Sequence, residues 1–341
     1  MPGPRGRPTL DELRDVARLD ALGIASATPF DETRAVLEQR RAEGLHGGMA
    51  FTYRNPSRST TPSRVLADAR SIVVGAHRYR RADAEAPDRA SGLIARYARG
   101  DHYAELRAGL DAVAARLRAD GWRALVVADD NAMVDRAAAV RAGLGWYGKS
   151  ANVLLEGRGS WFVLGSVVTD AELPPSDTAV ADGCGSCTRC IDACPTGAIV
   201  APGVVDARRC LAWLVQKPGS FPVEHRAALG GRIYGCDDCQ EVCPPNRADD
   251  RRHPPEPGAP AWVDLVQLLD ASDDELMARH GRWYIPERDP RYVRRNALVA
   301  LGNVGDPRDP EVARVLERYR NDEDALLAEH ATWASERLVH A

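Results

Sequence analysis

The spacing of hydrophobic positions sets out most of the elements of this chain. Leu10, Leu13, Val16 and Ala17 recur at the three-and-four spacing of one helix face, and Thr9 with Glu12 supplies a capping box ahead of them. Asp31 fits the N-cap of a second helix running through Arg40, ended by the glycine-rich GLHGGM. Three β-branched runs read as strands: SIVVGA from Ser71, ALVVAD from Ala124 and SWFVLGSVVT from Ser160, the first two as buried ones. Leu106, Leu110, Val113 and Leu117 place a helix over 101–119. Another follows the second run to about Arg141, before the turn AGLGWYGKS. Strands alternating with helices predict an α/β or mixed α+β domain over roughly the first 170 residues.

From Glu172 the periodicity stops. ELPPSDTAVADG reads as a linker into a cysteine-rich stretch, and a second proline-rich junction, PPNRADDRRHPPEPGAPAW, follows Cys243. The remainder reads as all-helical. Ser272 with Glu275 is a capping box, Pro290 fits a first-turn position and Gly302 fits a helix stop. Further helices are predicted after Pro310 and Asp322, in a succession that would stack as a partial helical repeat.

The cysteines change the picture. All eight lie between Cys184 and Cys243, and the first four read C-x2-C-x2-C-x3-C-P, the run that binds iron–sulfur clusters in bacterial ferredoxins. Cys236, Cys239 and Cys243 repeat the end of that run without its first cysteine, which Cys210 supplies from a distance. In two-cluster proteins the fourth cysteine of a run ligates the other cluster. Two four-thiolate sets result: Cys184, Cys187, Cys190 and Cys243 for one [4Fe–4S] cluster, and Cys194, Cys210, Cys236 and Cys239 for the other. Structural zinc is the competing reading of paired C-x-x-C motifs, but the tight three-cysteine run and the proline after each terminal cysteine favour clusters. Disulfides are disfavoured, because the opening MPGPRGRPTLDELR has no apolar signal region and the chain is expected in the reducing cytoplasm.

Composition adds little. Over 341 residues, 44% hydrophobic and 28% charged residues describe an ordinary globular protein with no run long enough to span a membrane. A net charge of −4 argues neither for nor against a nucleic-acid partner.

Outside the cysteines, Asp129 is the most promising carboxylate. It ends a strand, where a partly desolvated carboxyl could act as a general acid, although an Asx turn or helix cap explains the pattern more simply. AGLGWYGKS with Asn152 sets flexible backbone beside an amine and an amide, suited to a polar cofactor, and no dinucleotide or P-loop fingerprint is present. His46, His77 and His102 show no metal-ligand spacing and read as surface or core residues. RHGRWYIPERDPRYVRRN, from Arg279 to Asn296, mixes arginines with aromatics, the ingredients of RNA contact, though a solvated helix face is the simpler reading. A bare two-cluster electron carrier would need few of the residues outside the cysteine stretch.

RYARGDHY from Arg96, AGLGWYGKS from Ala142, GSWFVLG from Gly159, CPTGAIV from Cys194, DARRC from Asp206 and RIYGCDDCQEVCPPN from Arg232 run in one order over about two-thirds of the chain. Together they resemble the epoxyqueuosine reductases, cobalamin- and iron–sulfur-dependent enzymes of tRNA queuosine biosynthesis. RNALVALGN, from Arg295, is similar to the helical-repeat end of that family. The resemblance implies a cobalamin-binding domain over 1–172, a ferredoxin-like double [4Fe–4S] module over 173–250 and a HEAT-like helical region over 251–341. It implies that the clusters reduce a cobalamin, which removes the epoxide oxygen at the tRNA wobble position as water. ADDNAMVDR stands where the family reads close to VDSAPxLER, which puts the proton donor at Asp129. Arg58, Lys149, Asn152, Ser160, Asp237 and Asp238 would lie around the corrin, and LAWLVQK follows Cys210 where the family reads close to ISYLTIE. The implied partners are a tRNA carrying epoxyqueuosine and an external donor of flavodoxin or ferredoxin type, with no membrane and a monomeric state. Two other readings compete: a related corrinoid reductase acting on another epoxide or an organohalide, and a non-enzymatic electron-transfer protein.

Overall fold

The computed structural model describes residues 6–51, 53–79, 87–176, 179–253 and 260–340. Its strands are β1 (Ala21–Ser26), β2 (Ser71–Arg78), β3 (Ser91–Ile94), β4 (Ala124–Ala128), β5 (Gly145–Tyr147), β6 (Val153–Leu155), β7 (Phe162–Thr169), β8 (Ile199–Ala201), β9 (Val204–Val205), β10 (Arg232–Tyr234) and β11 (Trp262–Asp264). Four of them form the main sheet in the order β1-β2-β7-β4.

Every pairing in that sheet is antiparallel. The alternation of strands and helices therefore builds the α+β form of the expected architecture, not a parallel α/β sheet. Side chains alternate across β2 as a pleated strand requires. Val73 joins the core formed with the helices Leu10–Ala17 and His102–Ala119, while Ile72, Val74 and Ala76 face the helix Asp135–Arg141. Leu106, Leu110, Val113 and Leu117 are fully buried on the first face. Burial of side chains of this size is worth roughly 1.5–3 kcal/mol each.

Two strands depart from the sequence reading. β1 has no strong signature, because ALGIAS is mostly small residues, yet smallness is what its place demands. A Cβ at Gly23 would lie 2.4 Å from the Ala142 carbonyl oxygen at the end of the helix Asp135–Arg141. β4 is an edge strand, not a buried one, and Leu125 is 42% exposed.

A second sheet, β10-β3-β11, takes one strand from each of the stretches 1–172, 173–250 and 251–341. β3 pairs in parallel with β10 and antiparallel with β11. Its residues share one core with the C-terminal helices, from Ile94 and Ala98 through Ile233 and Tyr234 to Leu338. The stretches 1–172, 173–250 and 251–341 thus do not bury separate cores, and the C-terminal part is not purely helical. The junction after Cys243 is a helix, Pro244–Arg252, for its first half, while 254–259 lie outside the described residues.

The C-terminal helices are Leu265–Asp270, Asp273–His280, Arg291–Val304, Pro310–Arg320 and Ala325–Val339. Ser272 and Glu275 make the expected capping box. Gly302 does not stop its helix. A Cβ there would lie 2.7 Å from Ala334 Cα, so the glycine permits close crossing with Ala325–Val339 and the helix ends two residues later.

Candidate functional site

The eight cysteines form no disulfide and are all partly buried. Their electrostatic neighbours fall mostly into two groups, with Cys190 and Cys239 facing each other between them. Burial pushes the Cys243 thiol up to about 11, opposed by an Asn246 backbone N–H and reinforced by the sulfurs of Cys184, Cys190 and Cys187. Burial likewise raises Cys236 to about 12, with Cys210 beside it, and raises Cys239, with Cys236 and Cys210 beside it. Cys210 is raised by burial and has Cys194 as its sulfur neighbour. Sulfurs held this way stay protonated until a cation draws the protons off, so the donor set fits iron–sulfur clusters. The Ala198 amide donates to Cys194 Sγ at 3.1 Å, a contact of the kind that tunes cluster potentials.

Gly235 explains how chain and ligands fit together. It sits at φ +76° immediately before Cys236, and a Cβ there would lie 2.4 Å from Ala95 Cβ and 2.9 Å from the Tyr97 ring. Only glycine lets the ligand loop press against β3's continuation.

Asp129 follows β4 with its backbone in the left-handed region, at φ +52°. Arg107 Nη2 donates to the Ala128 carbonyl at 2.5 Å and fixes the strand end. The Asx turn belongs to Asp130, whose Oδ1 accepts from the Ala132 amide at 2.7 Å. No hydrogen bond among the described residues holds the Asp129 carboxyl. The residue is exposed at the rim, yet the protein around its carboxyl raises its pKa, opposed by Arg107 and reinforced by Asp130. Of the two sequence readings, capping goes to the neighbour and leaves Asp129 available for chemistry.

Sequence reasoning missed what lies behind it. Burial and the nearby Asp129 raise Asp135, whose Oδ1 is buried without a hydrogen-bond partner. Tyr103 is raised by burial, then by Asp129 and Asp135. A chain of tyrosines leads on toward the cysteines. Tyr97 lies 6.2 Å from Tyr234 and 6.4 Å from Tyr79, and Tyr79 accepts a hydrogen bond from Gln240 at 3.1 Å. Asp237 is buried among them, accepts from the Arg96 amide at 2.7 Å and is raised to about 6 by burial. Tyr97 and Tyr103 stand inside RYARGDHY and Tyr234 inside RIYGCDDCQ, so the motifs contained the signal without revealing the residues' roles.

The other expected cofactor contacts divide. Asn152 Nδ2 reaches Cys239 Sγ at 3.9 Å, between the turn and the second cysteine set. Lys149 Nζ donates to the Gly185 carbonyl at 2.6 Å and ties the turn to the first set's loop. Ser160 is buried and committed: Asn246 and Gln240 amides both donate to its hydroxyl at 3.0 Å. Gly159 at φ +74° lets Asn246 in, since a Cβ would lie 2.0 Å from Asn246 Oδ1. Ser160 therefore seals β7 to the cysteine module instead of offering its hydroxyl outward. Asp238 pairs with Arg232 at 2.6 Å and is likewise spent on structure. Arg58 is exposed on the short helix Pro56–Ser59.

The arginine-rich stretch is largely structural. Arg295 and Trp283 are buried, Arg294 pairs with Asp273 at 2.5 Å, Arg291 with Asp289 at 2.8 Å, and Arg282 donates to the Ala98 carbonyl. Tyr284 is the aromatic of the stretch left exposed. Part of the stretch is thus spent on the fold, while Arg279, Arg282, Arg288 and Tyr284 keep exposed surface.

A corrinoid fits the residues between Asp129 and the second cysteine set. Aromatic faces, neutral hydrogen-bonding groups and an unpartnered buried carboxylate oxygen on Asp237 line that wall.

Comparison with known proteins agrees in both halves of the site. The family described as 4Fe-4S double cluster binding domain matches residues 183–246, and the family described as epoxyqueuosine reductase QueG, DUF1730 matches 60–135. The chain is 37% identical over 327 residues to an epoxyqueuosine reductase of Xanthomonas campestris, covering 89% of this chain and 88% of that one. It is 34% identical to one of Bacillus anthracis, covering 93% and 84%. A crystal structure of epoxyqueuosine reductase with an epoxyqueuosine-modified tRNA-Tyr stem loop superposes with a TM-score of 0.86 at 32% identity, covering 96% of this chain and 89% of that one. The Streptococcus thermophilus enzyme superposes with a TM-score of 0.87 at 28% identity, covering 97% and 90%.

Proposed function

This chain belongs to the epoxyqueuosine reductase family, and from that premise we propose how its own residues carry the reaction. It is an oxidoreductase that reduces epoxyqueuosine to queuosine, with electrons passed through two [4Fe–4S] clusters. Deoxygenation of the epoxide takes up two electrons and two protons, releases the oxygen as water and leaves a carbon–carbon double bond.

A cobalamin, when bound, supplies reduced cobalt able to attack the epoxide carbon. Asp129 delivers one of the two protons to the epoxide oxygen. Its raised pKa keeps more of it protonated at neutral pH than an ordinary aspartate, and its carboxyl is tied to no neighbour. Cys184, Cys187, Cys190 and Cys243 hold one cluster, and Cys194, Cys210, Cys236 and Cys239 the other. The second cluster is the exit toward the cofactor, because Asn152 and the Tyr79–Tyr97–Tyr234 wall adjoin it. Asn152, Lys149 and Asp237 would border a bound corrin, with Ser160 and Asp238 bracing the wall behind them. Arg58 completes the rim. An external flavodoxin- or ferredoxin-type donor loads the first cluster, and the enzyme works as a cytoplasmic monomer on tRNA. Among the described residues no helix is long and apolar enough to cross a membrane.

The observation that carries this reading is the pairing of a freely presented, pKa-raised carboxyl with two four-sulfur sets on one wall. Its test is conversion of an epoxyqueuosine stem loop by reconstituted protein with cobalamin and a strong reductant. Asp129→Asn should keep about eight iron and eight sulfide per chain. It should lose 100-fold or more in turnover, the order of a general acid's contribution. Full activity without any corrinoid would overturn the cobalamin assignment. Loss of activity in Asp130→Asn instead of Asp129→Asn would overturn the donor assignment.

A further inference from the structure

A second constellation lies outside this machinery, on the far side of Tyr79. His77 is the penultimate residue of β2, His102 opens the helix His102–Ala119, and Glu105 stands one turn along it. Potential ligand atoms of all three lie within 4.8 Å of one another. His77 Nε2 and Glu105 Oε2 are 2.5 Å apart, and the two imidazole rings are 6.4 Å apart. His102 is buried and Glu105 is exposed, so the cluster opens to solvent on one side only.

A fourth group makes this more than a histidine–glutamate pair. Asp20 Oδ2 lies 3.6 Å from His77 Nδ1, on the opposite edge of the ring from Glu105. That carboxylate is itself fixed, because the Arg78 amide donates to the same oxygen at 2.8 Å. At 3.6 Å the Asp20–His77 approach is an ion-pair contact; drawn in by a few tenths of an ångström on metal binding, it becomes the carboxylate–histidine hydrogen bond that orients imidazole for a metal ion. Sequence spacing could not reveal it: the ligands come from residues 77, 102 and 105, and strand pairing brings Asp20 beside β2.

We propose that His77, His102 and Glu105 form a divalent metal site of zinc type, oriented by Asp20. Two imidazoles, one carboxylate and a water complete a tetrahedral set, and the mixed N/O donors select a borderline ion over calcium or magnesium. With metal–ligand bonds of about 2.0–2.2 Å, tetrahedral ligand atoms stand roughly 3.4 Å apart. The His77–Glu105 contact must open by about 1 Å, which the exposed Glu105 side chain can supply by rotation, and the widest pair must close by up to about 1.4 Å. The ion would pin the first turn of His102–Ala119 to β2 and to the residue before β1. Tyr103, the next residue, faces Asp129, so the metal fixes the turn that presents it.

The test uses the cluster-loaded protein, kept anaerobic, equilibrated with zinc and dialysed, with zinc and iron counted together. The expected result is one zinc per chain with the iron count unchanged. X-ray absorption should show nitrogen and oxygen scatterers near 2.0–2.1 Å and no sulfur near 2.3 Å. His77→Gln and Glu105→Gln should each lose that zinc. Asp20→Asn should keep the stoichiometry while weakening binding 10- to 100-fold. Glu105→Gln changes an exposed side chain and so keeps the test valid if His77→Gln fails to fold. Zinc retained equally by wild type and both glutamine variants, or zinc taken up on sulfur with loss of iron, overturns the proposal. Neither result bears on epoxide reduction, which is read separately by stem-loop turnover.

Discussion

Arg295→Met separates a structural arginine from an RNA-binding one. The side chain is fully buried, and its pKa is lowered by burial to about 10, which leaves it charged at neutral pH. Nη1 donates to the Lys217 and Gly219 carbonyls at 2.6 Å each, and Nη2 to Leu214 and Val215 at 3.2 and 3.1 Å. Methionine keeps the apolar stem and removes every donor. Four backbone carbonyls then lose their charged partner, at about 1 kcal/mol or more each, partly offset by relief of the buried charge. The net loss is roughly 3–5 kcal/mol. Unfolding entropy of about 2.1 cal/mol/K per residue over 341 residues turns 4 kcal/mol into a fall of about 6 °C in Tm. Calorimetry of the cluster-loaded protein reads this directly, alongside binding of a tRNA stem loop by the folded fraction. An unchanged Tm with weakened stem-loop binding would refute the staple and restore the RNA reading.

Three further outcomes follow from the same geometry. Gly302→Ala should destabilise by about 1–3 kcal/mol in urea unfolding despite alanine's better helix propensity, because the methyl meets Ala334; a gain in stability would disprove the close crossing. His330 is lowered by burial to about 4, with Nε2 accepting from the Phe221 amide at 3.1 Å. A depressed histidine stabilises above its unfolded pKa near 6.5, so roughly 3 kcal/mol should drain away as pH falls from 6.5 toward 4. His330→Gln should flatten that part of the profile, and an identical slope in both proteins would count against it. Cys210→Ala should remove one cluster and keep the other, leaving about four iron per chain; loss of all iron, or of none, would contradict the crossed pairing.

Where the sequence spoke clearly, it did so through covalent chemistry. Eight cysteines at fixed spacing define two ligand sets whatever the surroundings, and the fold merely brings them together. Asp129 was legible only with the family motif in view, since Asp130 and Asn131 suit a turn equally well until the Asp130–Ala132 bond assigns the turn. The tyrosine wall was hidden because its members come from residues 79, 97, 103 and 234: Tyr79 follows β2 of the main sheet, Tyr103 lies in the helix His102–Ala119, and the second sheet brings Tyr234 beside the strand that leads to Tyr97. β1 was invisible for a packing reason, small residues being required under a helix. The arginines of 279–296 could not be sorted from the sequence, because a guanidinium buried against carbonyls and one facing solvent have the same letter.

The same reasoning removes the apparent anomaly after Cys210. LAWLVQK looks like a remodelled substrate wall when compared with the family's ISYLTIE. In the fold, Leu211, Leu214 and Val215 pack with Phe221, Leu229 and Val299, and Trp213 donates from Nε1 to the Gly47 carbonyl at 2.9 Å. Four of the seven residues are therefore interior, and their change is a repacking matched by Arg295, which grips the carbonyls of Leu214, Val215 and Lys217. Gln216 is the member that reaches the tyrosine wall, donating to the Tyr97 hydroxyl at 3.2 Å. An amide there keeps a hydrogen bond to Tyr97 without adding charge beside the second cysteine set. The segment therefore braces the tyrosine wall, through Gln216 and through the carbonyls that Arg295 holds.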